Sequence, residues 1–389
     1  MAKPRDNSIY INGRFLTQNQ TGVQRYSREV VAAIDRLLAR GDCPPMLRNA
    51  KWTLLAPRDA HCDLALKRIK FRQIGSGSGH LWEQLYLSRY SASGRLLSPA
   101  NSGPIRHPRQ IVVIHDAAIY NAPAGFARSY RLSHRLIDSL LARTAKIATV
   151  SHFSRAELAG CLGIPAQDIL LAPNGTDHFR SVVPDPTIVS RLELEPGKYF
   201  VTLGLSTANK NIPLAIEAYG LLNRPETKLV VVGKGSSRVL GSQTLKADGG
   251  VIFTGRLSDQ EVTGLLRSAT ALLFPSRYEG FGIPSLEAML HGCPVIASTA
   301  PGLMEVCGDA ALHFHPDDAI TLRGLMQTVL DDPEVAEAMR TRGLGRPDMY
   351  QWETAAAALI DGLEGLERVV DRRKYVVARR TYQKGVPLR

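Results

Sequence analysis

Apolar residues fall along this chain in two alternating textures: short unbroken runs, and longer stretches where they recur at helical spacing. The runs are Ile9–Ile11, Thr53–Ala56, Ile111–Ile114 and Ile147–Val150 in the first half. In the second they are Tyr199–Leu203, Leu229–Val232, Val251–Thr254, Ala271–Phe274 and Pro294–Ala297. Runs this short and this rich in Val, Ile and Leu suit strands buried on both faces of a parallel sheet. Between them lie helical stretches at Gly22–Arg40, Ser154–Cys161, Pro213–Leu222, Asp259–Ser268 and Pro284–His291. Ser258-x-x-Glu261 supports the start at 259, because the two side chains satisfy free helix amides reciprocally. Such alternation predicts doubly wound α/β sheets.

At 389 residues the chain has room for two such domains. Pro184, Pro186 and Pro196 punctuate a polar stretch, which places a first domain at 1–182, a linker at 183–197 and a second domain at 198–351. Residues 352–389 form a final helix and basic tail. Five widely spaced cysteines (Cys43, Cys62, Cys161, Cys293, Cys307) include no CxxC pair, which argues against a disulfide framework or a zinc ribbon. The N-terminus has no signal-type apolar core and no run is long enough to span a membrane. The expected location is the cytosol.

Charge changes the picture. The net +12 divides into +13 over residues 1–180, −8 over 181–371, and +7 in the tail from Arg372. A basic half and an acidic half imply two surfaces with different partners. No recognised module or aromatic-interleaved basic motif points to nucleic acid.

Four segments could carry chemistry. Gly22 opens a long helix soon after the first strand, where free amides suit an anionic group; the lack of GxGxxG speaks against a dinucleotide fingerprint. His115-Asp116 follows the run Ile111–Ile114, at a strand end where open α/β sheets bind ligands. Gly204 through Asn209, Lys210 and Asn211 again joins a strand to a helix, with Lys210 as a flexible cation for a diphosphate. The strongest segment is Pro275–Pro294. It runs from a strand through the loop Glu279-Gly280-Phe281-Gly282 into a helix whose first residue is expected at Pro284, with Glu287 in its first turn. Loop amides and the helix start suit a diphosphate, and a carboxylate suits a diol such as ribose. His313-x-His315 is more simply a structural pair than a metal site.

This last segment resembles the E-x7-E signature of GT-B glycosyltransferases of family 4, with Glu279 and Glu287 as its acids. Thr21–Tyr26 is similar to that family's TGxxRY turn. Ser98-Pro99 and His115-Asp116 resemble its SP and HD strand ends. Val150–Arg155 and Pro173–Asp177 resemble its VSxFSR and NGxD segments. Asn209-Lys210-Asn211 resembles its RKN, and Gly302-x-x-Glu305 with Gly308-Asp309-Ala310 its G-x-x-E and GDA run. The order matches, over about residues 9 to 365.

The resemblance implies two Rossmann-like domains facing a central cleft, with helices from Trp352 onward crossing back to the first. It implies retaining transfer of a sugar from a nucleotide-sugar donor, with no metal or other cofactor. Glu287 would bind the ribose, while Glu279 and the amides of Gly280, Phe281 and Gly282 would contact sugar and diphosphate. Lys210, Gly22 and Gly204 would hold the diphosphate, and His115 would face the sugar. Asn209 stands where the family usually has Arg, leaving Arg256 or Arg277 to supply that contact.

Family habit leans towards GDP-mannose, with a UDP-sugar behind it. The acceptor would be a glycan or polyprenyl-diphosphate-linked oligosaccharide of surface polysaccharide assembly. Lys67–Arg72 and the segment His80–Ala92, with Trp82 and Tyr86, would rest on anionic lipid at the inner face of the membrane. The competing readings are a sugar-nucleotide epimerase and a catalytically silent GT-B scaffold.

Overall fold

The computed structural model describes residues 7–204, 208–233 and 250–366. It contains two wholly parallel sheets. The first joins β1 (Ile9–Asn12), β2 (Trp52–Ala56), β3 (Lys70–Gln73), β4 (Arg95–Ser98), β5 (Gln110–Val113), β6 (Lys146–Thr149) and β7 (Leu170–Leu171) in the order 3-2-1-4-5-6-7. The second joins β8 (Tyr199–Leu203), β9 (Lys228–Val232), β10 (Val251–Gly255), β11 (Ala271–Phe274), β12 (Val295–Ser298) and β13 (Ala311–Phe314) in the order 10-9-8-11-12-13. Every residue of β5, β11 and β12 is buried, as expected of strands covered by helices on both faces. In each sheet the strand order reverses beside the first strand, between β1 and β4 and between β8 and β11. Those are the points where ligands bind to open α/β sheets, beyond the carboxyl ends of the strands.

The chain divides into two compact units, each built from separated segments. Unit 1 comprises residues 1–120, 128–175 and 352–389; unit 2 comprises 121–127 and 176–351. The boundary thus falls at 175/176, ahead of the expected 182/183. Residues 176–182 and the expected linker belong to unit 2 for a plain reason: they have backbone partners there. Thr176 N–H donates to Tyr350 O (3.0 Å) and Asp185 N–H to Gln260 O (2.9 Å). Gly264 is pressed against this segment, since a Cβ there would lie 2.0 Å from Asp185 O.

In unit 1 the helix Gly22–Arg40 packs against the helix Trp352–Glu364. Arg40 makes a two-pronged ion pair with Glu353 (2.9 and 2.6 Å). Tyr26 is fully buried between them: its hydroxyl donates to Ala172 O at 3.0 Å and its ring meets Trp352 edge-on. The tyrosine of the TGxxRY turn is therefore a core residue. The basic tail lies outside the described residues.

One surface expectation fails. Trp82 is 1% exposed, with its indole N–H donating to Ile74 O, and Tyr86 packs on the same core and bonds Ser76. Neither aromatic ring is spare for a lipid surface. The same segment instead exposes Leu81 and Leu85, one helical turn apart. Among the described residues, no helix is long and apolar enough to cross a membrane.

Candidate active site

Unit 2 places a charged pair at its switch point. After β8 the chain turns at Gly204, whose N–H donates to Val232 O (2.7 Å), and re-enters described structure in the 3-10 turn Ala208–Lys210. After β11 it runs through Pro275–Gly282 into the helix Ile283–Leu290. Two links tie the two loops together: Arg277 N–H donates to Asn209 O (2.8 Å) and Asn211 Nδ2 donates to Pro275 O (3.1 Å), while the same amide also donates to Pro316 O (2.7 Å) beyond β13. Lys210 Nζ then lies 2.7 Å from Glu279 Oε1, with 28% and 15% of the two side chains exposed. The ammonium also sits 5.2 Å over the Phe274 ring, a favourable face for a cation.

The loop from Glu279 to Gly282 is clamped from behind. Gly282 has φ +104, the left-handed region that glycine occupies without strain, and a Cβ there would lie 2.4 Å from Leu303. A Cβ on Gly302 would lie 2.1 Å from Glu279 O. So the helix Pro301–Cys307 approaches the loop too closely for any side chain at 302, and the first glycine of the G-x-x-E run acquires a physical reason. Ser285 Oγ donates back to Gly282 O (2.7 Å). Phe281 is 5% exposed and meets Tyr350 edge-on at 5.2 Å.

Glu287 is 7% exposed. The helix begins one residue earlier than expected, so Pro284 is its second residue and Glu287 its fifth. The carboxylate thus sits a turn beyond the helix start, on the buried side, rather than in the first turn.

The structure does not gather every expected contact. Asn209, in the place of the family's arginine, directs its amide towards Ala122 O at 3.4 Å. Arg277 is already engaged by Asp317. Arg256 is exposed just past β10, the sheet edge two positions from β8, and no contact among the described residues links it to the Lys210–Glu279 pair. His313 Nε2 donates to Gly308 O (2.9 Å). Among the described residues no three His, Cys, Asp or Glu side chains converge as a metal site.

His115 and Gly22 belong to unit 1. His115 is 7% exposed, its Nε2–H donates to Pro99 O (3.0 Å), and its ring packs edge-on against Tyr26. Burial lowers its pKa to about 4, so the ring is neutral and Nδ1 carries the lone pair. Gly22 is exposed at the first position of its helix, and a Cβ there would meet nothing within 4 Å.

A second charged cluster, which the sequence analysis did not find, lies at the switch point of unit 1. Glu83 is fully buried. Its Oε1 accepts from Asn12 Nδ2 (2.8 Å) and Ser102 Oγ (2.7 Å), and its Oε2 lies 2.9 Å from His80 Nδ1. Arg14 Nε sits 3.0 Å from Oε1, and its Nη2 donates to Ser102 Oγ (2.6 Å). Despite burial, His80, Arg14, Ser102 and Asn12 together hold the Glu83 carboxyl below the usual carboxylate range.

Residues 187–346 match the family model described as glycosyl transferases group 1. The chain is 29% identical over 269 residues to O-antigen chain mannosyltransferase B of Escherichia coli, covering 66% of this chain and 71% of that one. Among solved structures it is similar to WaaG, described as a glycosyltransferase involved in lipopolysaccharide biosynthesis. That likeness has a TM-score of 0.68 at 17% identity over 92% of this chain and all of that one. Anabaena HepE, solved in complex with UDP and glucose, is similar at a TM-score of 0.66 and 17% identity, over 92% of this chain and all of that one. With two Rossmann-like parallel sheets the chain has the GT-B fold, and residues 187–346 of its second unit are similar to the group 1 glycosyl transferases.

Proposed function

We propose that the protein transfers mannose from GDP-mannose, with retention of configuration, to a glycan or lipid-linked oligosaccharide during surface polysaccharide assembly. The observation that carries this reading is the Lys210–Glu279 pair beside the clamped glycine loop at the unit 2 switch point. The likeness to an O-antigen chain mannosyltransferase supports mannose as the sugar.

A half-exposed ammonium and the amides opening the helix Ile283–Leu290 suit the charge that grows on a departing diphosphate. Glu279 would leave Lys210 to the diphosphate and stabilise the oxocarbenium-like sugar. The bond from C1 to the phosphate oxygen breaks while the acceptor oxygen bonds C1 on the same face. The acceptor's proton passes to the departing diphosphate. Glu287 holds the ribose, and no metal is needed.

Titration with GDP, UDP, dTDP and ADP, with and without chelator, tests this. The expected result is tight binding of GDP, indifferent to chelator and lost in Glu287→Ala. Preference for UDP would move the donor to a UDP-sugar, the ligand type seen in HepE. Binding of no diphosphate would favour a silent scaffold.

The setting would be an anionic membrane surface. The helix Arg128–Thr144 exposes Leu132 and Leu136 (73% and 61%) as the neighbouring segment exposes Leu81 and Leu85 (74% and 63%), and His80 meets His134 between them. Arginines accompany these leucines, while the two acids of both stretches, Glu83 and Asp138, are buried. An apolar, basic face of this kind fits anionic lipid. Sedimentation with phosphatidylglycerol vesicles should weaken with salt and with Leu81→Gln plus Leu132→Gln; indifference to lipid charge and salt would reject it.

A further inference from the structure

The buried cluster of unit 1 has two polar tips left over. The Glu83 carboxylate is held by hydrogen bonds from Asn12, Ser102 and His80 and by the charge of Arg14. Because an ionised carboxylate only accepts, His80 Nδ1 must be the donor, which leaves Nε2 as the outward polar tip of the ring. Among the described residues Nε2 makes no hydrogen bond, and the His80 side chain is 37% exposed. Arg14 Nη1 is likewise without a bond among the described residues, while Nη2 donates to Ser102 Oγ and Nε lies 3.0 Å from Glu83 Oε1.

Three further features surround these tips. The helix that carries His80 widens into a π turn over Glu83–Leu87, a rare distortion found mostly at functional sites. The His80 ring meets His134, which in turn lies 4.1 Å from the 45%-exposed Tyr130 ring, tilted by 35°. Asn12 ends β1 and Ser102 follows β4, so the cluster stands at the ligand-binding end of the sheet.

We infer that Arg14, His80 and Tyr130 form a binding site for a neutral saccharide, with Glu83 as the positioning residue that fixes the His80 ring. The chemistry selects a polyol over an anion. The Arg14 charge is already cancelled by Glu83, and His134 is kept neutral, with its pKa lowered to about 4 chiefly by burial. A sugar hydroxyl, which both donates and accepts, can bond His80 Nε2 and accept from Arg14 Nη1, with the sugar's apolar face over the Tyr130 ring. Burying a charge pair this completely is a weak source of stability. Its use is to hold two polar tips at one spacing. The inference rests on the glycosyltransferase reading only for the ligand's role as acceptor.

The test is a titration of the full chain with mannobiose and, as an anionic comparator, mannose 6-phosphate, each by saturation-transfer NMR, with GDP binding as a separate measurement. Wild type should bind mannobiose in preference to the phosphate. His80→Ala and Tyr130→Ala should each weaken it at least tenfold with GDP affinity unchanged, and Tyr130→Ala should do so with the melting temperature unchanged as well. His80→Gln, whose amide oxygen can still accept, should recover most of the loss. Equal mannobiose binding by wild type and His80→Ala, preference for the phosphate, or no mannobiose binding by a chain that binds GDP would each overturn the site. Loss of all nucleotide binding with mannobiose retained would instead overturn the donor reading and leave the site standing.

Discussion

The two switch points share one topology and treat charge in opposite ways. Between β1 and β4 an arginine and a glutamate are sealed in, at 10% and 0% side-chain exposure, with Asn12, Ser102 and His80 also bonded to the carboxylate. Between β8 and β11 a lysine and a glutamate meet at 2.7 Å but stay at 28% and 15% exposure, with no other hydrogen bond to either head group among the described residues. A buried pair whose carboxylate is tied to several side chains is held in place and acts as a frame. A lone, wetted pair can be opened by a ligand, because water repays much of the cost of separation. The lesson is that an ion pair's role follows from how many of its lone pairs and protons are spoken for, more than from its length.

The largest expected effect strikes the frame. Glu83→Ala leaves Arg14 buried without its counter-charge and should cost about 3–5 kcal/mol in denaturant unfolding, against less than about 1 kcal/mol for Glu279→Ala. Equal losses would break the contrast. Next comes Lys210→Ala, which should lower transfer about 10²–10³-fold with an unchanged denaturation midpoint.

A third effect reads the pH axis. His115 has a folded pKa of about 4 against about 6.5 in the unfolded chain. Between those values the unfolded chain holds the extra proton, so stability falls as pH drops from about 6.5 to about 4, by at most about 1.4 kcal/mol per pH unit. Above pH 6.5 it is flat. Denaturation across that range should show the slope, and His115→Asn should remove one proton's share. The smallest effects compare two glycines. Gly302→Ala forces a Cβ to within 2.1 Å of Glu279 O and should cost about 1–3 kcal/mol. Gly22→Ala meets nothing and should leave the melting temperature unchanged, so any fall in transfer there reports a ligand approaching the backbone.

The unit 2 site was legible because each of its parts follows an apolar run: Lys210 after β8, and Glu279 to Glu287 after β11. A reader of the chain needs only the strand ends to bring them together. The unit 1 cluster draws on positions 12, 14, 80, 83 and 102, with no motif linking them, and its key acid sits among helical residues that read as ordinary surface. Strand β3, Lys70–Gln73, shows the same difficulty: all four residues are exposed at the sheet edge, so no apolar pattern announces it. Trp82 misled for the converse reason. An aromatic in an amphipathic stretch can face either way, and the Ile74 carbonyl that receives its N–H is visible only in the fold.

The chain passes between its two units four times, at 120/121, 127/128, 175/176 and 351/352. The consequence is genetic as much as structural. A gene cut after codon 175 does not encode unit 1, because Trp352 fills the space beside Tyr26 and Gly362 lets its helix settle against Leu170 and Ile111. Recombination that swaps donor-side segments between relatives would therefore need two breakpoints, near codons 176 and 351. It would also have to carry or match the seven residues 121–127, whose carbonyl at Ala122 meets Asn209. New sugar specificities would spread by cassette exchange inside a retained shell, rather than by fusion of two independent halves.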